Sequence, residues 1–232
     1  MTRGSLLRKA TLTAAASTLT VGLVTATAPT YADEHSPRHH AATSSAASPQ
    51  PASLPALMAT SAQYAEALRQ MSGAELEKTF MGAMVRHHQM AVDMARIELA
   101  KGSRPAEKAL ARRIVRTQAK EIAEMTSWLR NWYGVTPDEA VAQSPAVDLI
   151  NKMSAQMKTD MMAPLAAARR GTDTDIQFLR LMIPHHKMAV EESQAALPGT
   201  VHDQLATLEV SINRSQNREI RLMKTWLRAW FR

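Results

Sequence analysis

Two short segments of the chain place adjacent histidines beside methionine inside an apolar stretch. The segment MVRHHQMAV runs from residue 84 to residue 92, and MIPHHKMAV runs from residue 182 to residue 190. Imidazole nitrogen binds copper, zinc, nickel and iron, and thioether sulfur narrows the preference towards Cu(I). The two segments therefore predict a soft-metal site, unless the histidines serve only as polar groups within a helical core.

The two segments belong to a longer internal repeat. The shift that carries His87 onto His185 also carries Trp132 onto Trp230. No gap is needed between these positions, so chance is not a reasonable explanation. The repeat predicts two related helical hairpins that together supply the four core helices of a bundle. We place the two repeats at about residues 72–133 and 170–231.

The composition divides the chain into three parts. Residues 1–32 have a basic start followed by a weakly apolar run of small residues, which predicts a secretory signal peptide that is cleaved after Ala32. Residues 33–53 are rich in Pro, Ser and Ala, which predicts a disordered linker. Residues 54–232 carry Met, Leu, Ala and Ile at helical spacing, without strand-like alternation. We therefore expect an exported protein with one all-α domain of six helices.

The composition also limits the classes of function. The chain contains no cysteine, so disulfides and thiolate metal sites are excluded. Three of the 28 basic residues and none of the 21 acidic residues precede Asp33, so the exported part keeps only a modest positive charge. We expect no nucleic-acid partner and no membrane span. The expected partners are a metal ion and a second copper-handling protein, and the oligomeric state stays open.

The spacing of apolar residues places the histidine pairs inside the bundle. His88 falls on the apolar stripe of the first repeat, and His87 lies about 100° around the helix, on the edge of that stripe. Counting from the turn of each hairpin puts His88 level with Gln118 and His186 level with Gln216. A buried imidazole or amide without a partner costs about 1–3 kcal/mol. These groups must therefore bind one another, water or a ligand.

The same segments resemble a known family. FMGAMVRHHQMAVDMA and FLRLMIPHHKMAVEES, each followed by the pattern Q-x-x-E-I-x-x-M-x-x-W-L, are similar to the bacterial secreted family called domain of unknown function 305, or DUF305. The resemblance covers about residues 72–232. It implies a ferritin-like bundle of two two-helix repeats and a metal-binding role, because copper binding is associated with the better-understood members. Arg86 replaces the proline expected before the first pair, and Glu192 stands where the first repeat has Met94, so the two halves need not bind equally.

Copper is the metal that these donors favour, with Cu(I) preferred over Cu(II). A di-iron site would take a Glu-x-x-His motif from each of two helices, but the residues three positions before the histidines are all apolar. Glu121 and Glu219 lie about one turn after the glutamines and would orient the imidazoles by hydrogen bonds to the ring nitrogens that do not face the metal. The expected metal ligands are His87, His88, Met84, Met90, His185, His186, Met182 and Met188, surrounded by Gln118, Glu121, Gln216 and Glu219.

Three functions stay open at this level. The first is an exported copper-binding protein that serves buffering, delivery or tolerance. The second is a ferritin-like metalloenzyme with redox activity. The third is an envelope interaction module in which the histidines form a purely structural network with glutamine and glutamate. The sequence contains no recognisable nucleophile–base pair, phosphate loop or carboxylate dyad, which favours binding over catalysis.

Cleavage after Ala32 would create a second copper site. The new N-terminus, Asp33-Glu34-His35, offers a free amine, two amide nitrogens and a third-position imidazole, which form a square-planar set suited to Cu(II) or Ni(II). The alternative is an ordinary histidine-bearing linker. We expect N-terminal sequencing of the exported protein to begin at Asp33, and His35→Ala to lower its Cu(II) affinity. A different first residue or an unchanged affinity would exclude this site.

Overall fold

The computed structural model describes residues 53–231, which are helical apart from short connections. No strand occurs among these residues, as the all-α prediction required. The predicted signal peptide, the linker up to residue 52 and the proposed ligands Asp33 and His35 lie outside the described residues. The helices are α1 (Leu54–Arg69), α2 (Gly73–Lys101), α3 (Pro105–Tyr133), α4 (Pro137–Ala142), α5 (Val147–Met157), α6 (Ala163–Ala167), α7 (Thr172–Ala196) and α8 (Asp203–Trp230).

Two helical hairpins form the core of the bundle, as the repeat predicted. Helix α2 packs along α3, α7 packs along α8, and α2 and α7 meet at the centre. Helix α1 covers α7, while α4 and α5 cover α2. Direct contact between α3 and α8 is slight, and a cleft lined by residues of both helices lies between them. None of the described helices is long and apolar enough to cross a membrane.

The outer helices α3 and α8 each bury one stripe of side chains. Buried positions recur every three or four residues, which is the spacing of one face of a helix. The middle of each stripe is a glutamine followed by a glutamate, with apolar residues directly before and after them, and this polar middle lies at the depth of the histidines. The buried residues include Leu110, Ile114, Gln118, Glu121 and Met125 in α3, and Leu205, Ile212, Gln216, Glu219 and Met223 in α8.

The N-termini of α3 and α8 are capped from across the bundle. Asp175 of α7 accepts hydrogen bonds from the backbone N–H of Ser103, at 2.8 Å, and of Arg104, at 3.4 Å. Glu77 of α2 accepts from the backbone N–H of Val201 and of His202, both at 2.7 Å. Each carboxylate satisfies N–H groups that the start of a helix leaves unpaired. Because each cap joins two different repeats, an isolated hairpin could not form it.

Aromatic stacks reinforce the same two ends of the bundle. The ring of His202 lies 4.0 Å from that of Trp132, nearly parallel to it. The guanidinium of Arg104 lies 4.6 Å from the ring centre of Trp230, within the range of a cation–π contact. The repeat shift carries Arg104 onto His202 and Trp132 onto Trp230. The two ends of the bundle are therefore built on one plan.

The prediction of six helices was wrong between α5 and α7. A π-helical turn, Lys158–Met162, interrupts this segment, and the Ala163 N–H bonds the carbonyl of Lys158, five residues back. Pro164 follows directly and has no N–H to donate to the carbonyl four residues before it, so an uninterrupted α-helical ladder cannot form there. Met153 and Met157 before the turn, Met161 within it and Leu165 after it are still buried in the core. The added short helix α4 accounts for the remaining difference.

A buried glutamate joins α1 to α7. The hydroxyl of Ser61 donates to Oε1 of Glu192 at 3.1 Å, and Glu192 is fully buried. Burial raises the pKa of Glu192 to about 8, although the bond from Ser61 acts in the opposite direction. This carboxyl group is therefore largely protonated at neutral pH.

Glu192→Gln should remove a pH dependence from the stability of the fold. The unfolded carboxyl titrates near its ordinary pKa of 4.5, so unfolding at neutral pH releases a proton and becomes easier as the pH rises towards 8. Relative to Glu192→Gln, we expect the wild-type free energy of unfolding to fall by up to about 1.4 kcal/mol per pH unit between about pH 5.5 and 7.5. Urea unfolding of both proteins across this range measures the difference. A difference that stays constant with pH would contradict the assignment.

Candidate metal centre

His87 and His185 face each other where α2 meets α7. Their ring centroids are 3.8 Å apart, with 40° between the ring planes. Both side chains are buried. The expectation that His87 lies on the edge of the buried face was wrong, because α3 is only one of the helices against which α2 packs. Contact with α7 closes over the other side of α2 and encloses His87.

The ring nitrogens of His87 and His185 are all buried, and none makes a hydrogen bond of ordinary geometry. The backbone of each residue lies near the ring of the other and raises its pKa slightly, which is the weakest of the effects on either ring. Burial, and then the neighbouring imidazoles, lowers the pKa of both rings well below the ordinary value of 6.5. Both imidazoles are therefore neutral at neutral pH, and each keeps a lone pair on one nitrogen. This is the protonation state that metal binding requires.

His88 and His186 each bond a glutamate of the adjacent outer helix. Nε2 of His88 lies 2.7 Å from Oε2 of Glu121, and Nε2 of His186 lies 2.8 Å from Oε2 of Glu219. Burial opposes ionisation of Glu219, but bonds from His186 and Arg113 prevail and lower its pKa. An ionised carboxylate only accepts, so in the neutral form of each imidazole Nε2 donates and the lone pair is on Nδ1. Nδ1 of both rings is buried and unpartnered.

Gln118 and Gln216 lie on the cleft side of this layer. Each is 3% exposed, and together with Glu121 and Glu219 they line the cleft between α3 and α8, which has a volume of about 380 Å³. The amide oxygen of each glutamine has no partner. The histidines thus bond the glutamates, one turn further along, rather than the glutamines at their own level. A charged acceptor forms the stronger hydrogen bond.

The methionines expected as ligands divide into two groups. Met84 and Met182 are fully buried about one turn before their histidine pairs, and Met188 is fully buried as well. Met90, the counterpart of Met188, is only half-buried and lines a surface groove with Met157 of α5. Helices α4 and α5 pack on α2 but leave this groove open to solvent. Met90 and Met188 therefore differ in burial, although they occupy equivalent positions in the repeat.

The donor set fits a soft metal ion with few ligands. Within residues 53–231, the histidine layer contains no three imidazole or carboxylate donors that lie within 4.8 Å of one another. A structural zinc site needs four such donors, and a di-iron site needs several carboxylates. The layer instead offers facing imidazoles with lone pairs, and thioethers from the same helices. That combination favours Cu(I).

Apolar replacement of the facing pair should stabilise the metal-free protein. His87→Leu/His185→Leu removes four buried nitrogens that have no partner, each ring costing about 1–3 kcal/mol. His88→Leu should destabilise by a similar amount, because it leaves the buried carboxylate of Glu121 without its donor. Urea unfolding without metal compares the two variants with wild type. Equal destabilisation by both would show that the facing rings have partners in solution.

The solved structures that are similar to this chain include copper-bound and silver-bound forms of one protein, CopM. CopM in its Cu(I)-bound form is 34% identical, with a TM-score of 0.55, and the alignment covers 67% of this chain and 98% of that chain. CopM co-crystallised with silver matches with the same identity, score and coverage. A predicted secreted DUF305 protein from Streptomyces coelicolor is 25% identical, with a TM-score of 0.55, over 67% of this chain and 94% of that chain. No curated protein sequence matches the chain.

The sequence profile of one family matches the chain twice. The matches cover residues 23–129 and 104–227, and the family is described as a domain of unknown function, DUF305. The two matches overlap, each contains one of the two HH segments, and together they span most of the chain. The resemblance read from the HH segments is thereby confirmed: the chain belongs to the DUF305 family.

Proposed function

We propose that this protein is exported and binds copper at the contact between α2 and α7, in order to buffer, deliver or detoxify the metal. The observation that carries the proposal is the set of buried, neutral and unpartnered imidazoles at His87 and His185. A purely structural network would use these nitrogens in hydrogen bonds, because leaving them unpaired destabilises the fold. A ligand that accepts their lone pairs removes that penalty.

The proposed ligands separate into donors at the contact and donors beside it. His87 and His185 would supply the first imidazoles, and the buried thioethers of Met84 and Met182 would add soft ligands from the same helices. Nδ1 of His88 and of His186 also carries a free lone pair. The half-buried position of Met90 makes it a weaker candidate than Met188.

Glu121 and Glu219 would act on the metal through the histidines. Each holds the Nε2–H of a ring at 2.7–2.8 Å, which fixes the tautomer and the orientation of that ring. A carboxylate in this position also makes the imidazole a stronger donor. Arg113 donates to Glu219 at 3.1 Å, whereas the repeat shift carries Arg113 onto Ser211, so the Glu121 half has no arginine at this position. The two halves would therefore hold the metal with unequal strength.

The cleft between α3 and α8 is the proposed route by which copper enters. Its walls carry Gln118 and Glu121 from one hairpin and Gln216 and Glu219 from the other. Their carboxylate and amide oxygens would bind the ion in turn as it moves from solvent to the rings of His88 and His186. A second copper-handling protein would dock over this cleft to exchange the ion.

The relatives support a soft metal rather than zinc or iron. CopM has been solved with Cu(I), with Cu(II) and with silver. Silver and Cu(I) share a preference for thioether sulfur and imidazole nitrogen. Because this chain has buried donors of both kinds in both repeats, we propose Cu(I) as the principal ligand. The N-terminal set of Asp33 and His35 stays a separate prediction for Cu(II).

Thermal unfolding with and without Cu(I) tests the proposal. At a hundredfold excess over the dissociation constant, bound copper should stabilise the fold by about 2.7 kcal/mol and raise Tm. We expect His87→Leu/His185→Leu to abolish the rise while staying folded. As a control, His35→Ala with intact bundle histidines should keep the rise, because it removes only the N-terminal donor. A rise that persists in the bundle variant would place the copper elsewhere.

A further inference from the structure

Three carboxylates from three helices converge at one end of the bundle, away from the histidines. Glu98 lies near the end of α2, Glu107 in the first turn of α3 and Asp175 in the first turn of α7. All three are fully buried, and one oxygen of each lies within 4.8 Å of the others. Glu98 is about 15 Å along α2 from His88, so this cluster is separate from the histidine layer.

Only one of the three carboxylates has a structural role that accounts for its burial. Asp175 caps α3 by accepting from the backbone of Ser103 and Arg104 and from the Ser103 hydroxyl. Glu107, by contrast, has both carboxylate oxygens buried and without a hydrogen-bond partner. Glu98 is buried as well, and its side chain bonds only the carboxyl group of Asp175, to which it donates when it is protonated. Buried acidic groups of this kind require a compensating charge or a proton.

The other end of the bundle shows what the capping role alone requires. There Glu77 occupies the position of Asp175 and caps α8 in the same way. The repeat shift carries Glu98 onto Ala196 and Glu107 onto Leu205, so the counterparts of these two acids are apolar. The fold therefore does not need these two carboxylates to make the cap.

The two cations that act on Glu98 and Glu107 do not neutralise them. Lys108 and Arg104 act on Glu98 and Glu107 respectively, yet burial and the mutual repulsion of the acids prevail. Burial and this repulsion raise the pKa of Glu98 to about 9 and that of Glu107 to about 8. The guanidinium of Arg104 is turned towards Trp230 and Phe231. The cluster thus holds protons unless a cation displaces them.

We propose that Glu98, Glu107 and Asp175 form a second metal site, which binds one oxygen-preferring divalent cation such as Mn²⁺, Ca²⁺ or Mg²⁺. Carboxylate oxygens are the ligands these hard ions prefer, and ligands at about 2.0–2.6 Å from an ion lie no more than about 5 Å apart. The bound ion would join α2 and α3 to α7. It would therefore link the two repeats independently of copper.

Titration of the full chain after removal of bound metal with a chelator tests the second site. MnCl₂, CaCl₂ and MgCl₂ are added separately in a calorimeter, and Mn²⁺ binding is also followed by electron paramagnetic resonance. We expect one ion per chain for at least one of the three salts, together with a rise in Tm. Glu98→Ala/Glu107→Leu, which installs the residues of the other repeat, should weaken binding at least tenfold.

Two control variants separate this site from the others. His87→Leu/His185→Leu should keep the affinity for the hard cation, because it alters only the histidine layer. Glu209→Gln should also keep it, because Glu209 lies at the opposite end, where Thr200 bonds both of its oxygens. Glu98→Gln/Glu107→Gln, with nearly unchanged shape, repeats the test if the first variant unfolds. Wild type that binds none of the three ions, or an acid-site variant that keeps its affinity within twofold, would overturn the proposal.

Discussion

The contact between two neutral, unpartnered imidazoles at the centre of the bundle constrains the rest of the structure. His87 and His185 lie 3.8 Å apart with no hydrogen bonds to their nitrogens, so their burial opposes folding. Apolar layers on both sides, such as those of Phe80 and Phe178, must offset that cost. The covering helices α1, α4 and α5 complete this apolar packing and keep water away from the rings. The fold thus maintains donors that are ready to bind rather than donors that are satisfied.

The two repeats agree at the centre and differ at the periphery. Both keep a facing histidine, a glutamate-bonded histidine and a carboxylate that caps the other repeat. At the edge, Arg86 bonds Asp138 of α4 at 2.7 Å and Asn151 of α5 at 3.1 Å, where the second repeat has Pro184. This arginine holds the covering helices on α2, whereas Glu192 performs a related task for α1 on α7. The differences follow from which accessory helix each hairpin must hold.

Much of the fold and part of the site could be predicted from the sequence, because the repeat and the helical spacing are local patterns. They placed His88 and His186 inward and drew attention to Glu121 and Glu219. The His87–His185 contact could not be predicted this way, since it depends on how one hairpin packs against the other. The acidic cluster could not be predicted for the same reason. The sequence did contain one indication of it, because the repeat has a glutamate at position 98 and an alanine at the equivalent position 196. The π-helical turn before Pro164 could not be predicted from the proline alone, because Pro184 lies inside α7 without ending that helix.

The central claim is that copper binds between α2 and α7, and anomalous diffraction tests it most directly. Crystals of the protein loaded with Cu(I) are measured on both sides of the copper absorption edge. The account predicts a copper peak within bonding distance of a ring nitrogen of His87 or His185, with a thioether sulfur of the same helices beside it. A peak located only elsewhere, with both of these rings free of metal, would contradict it.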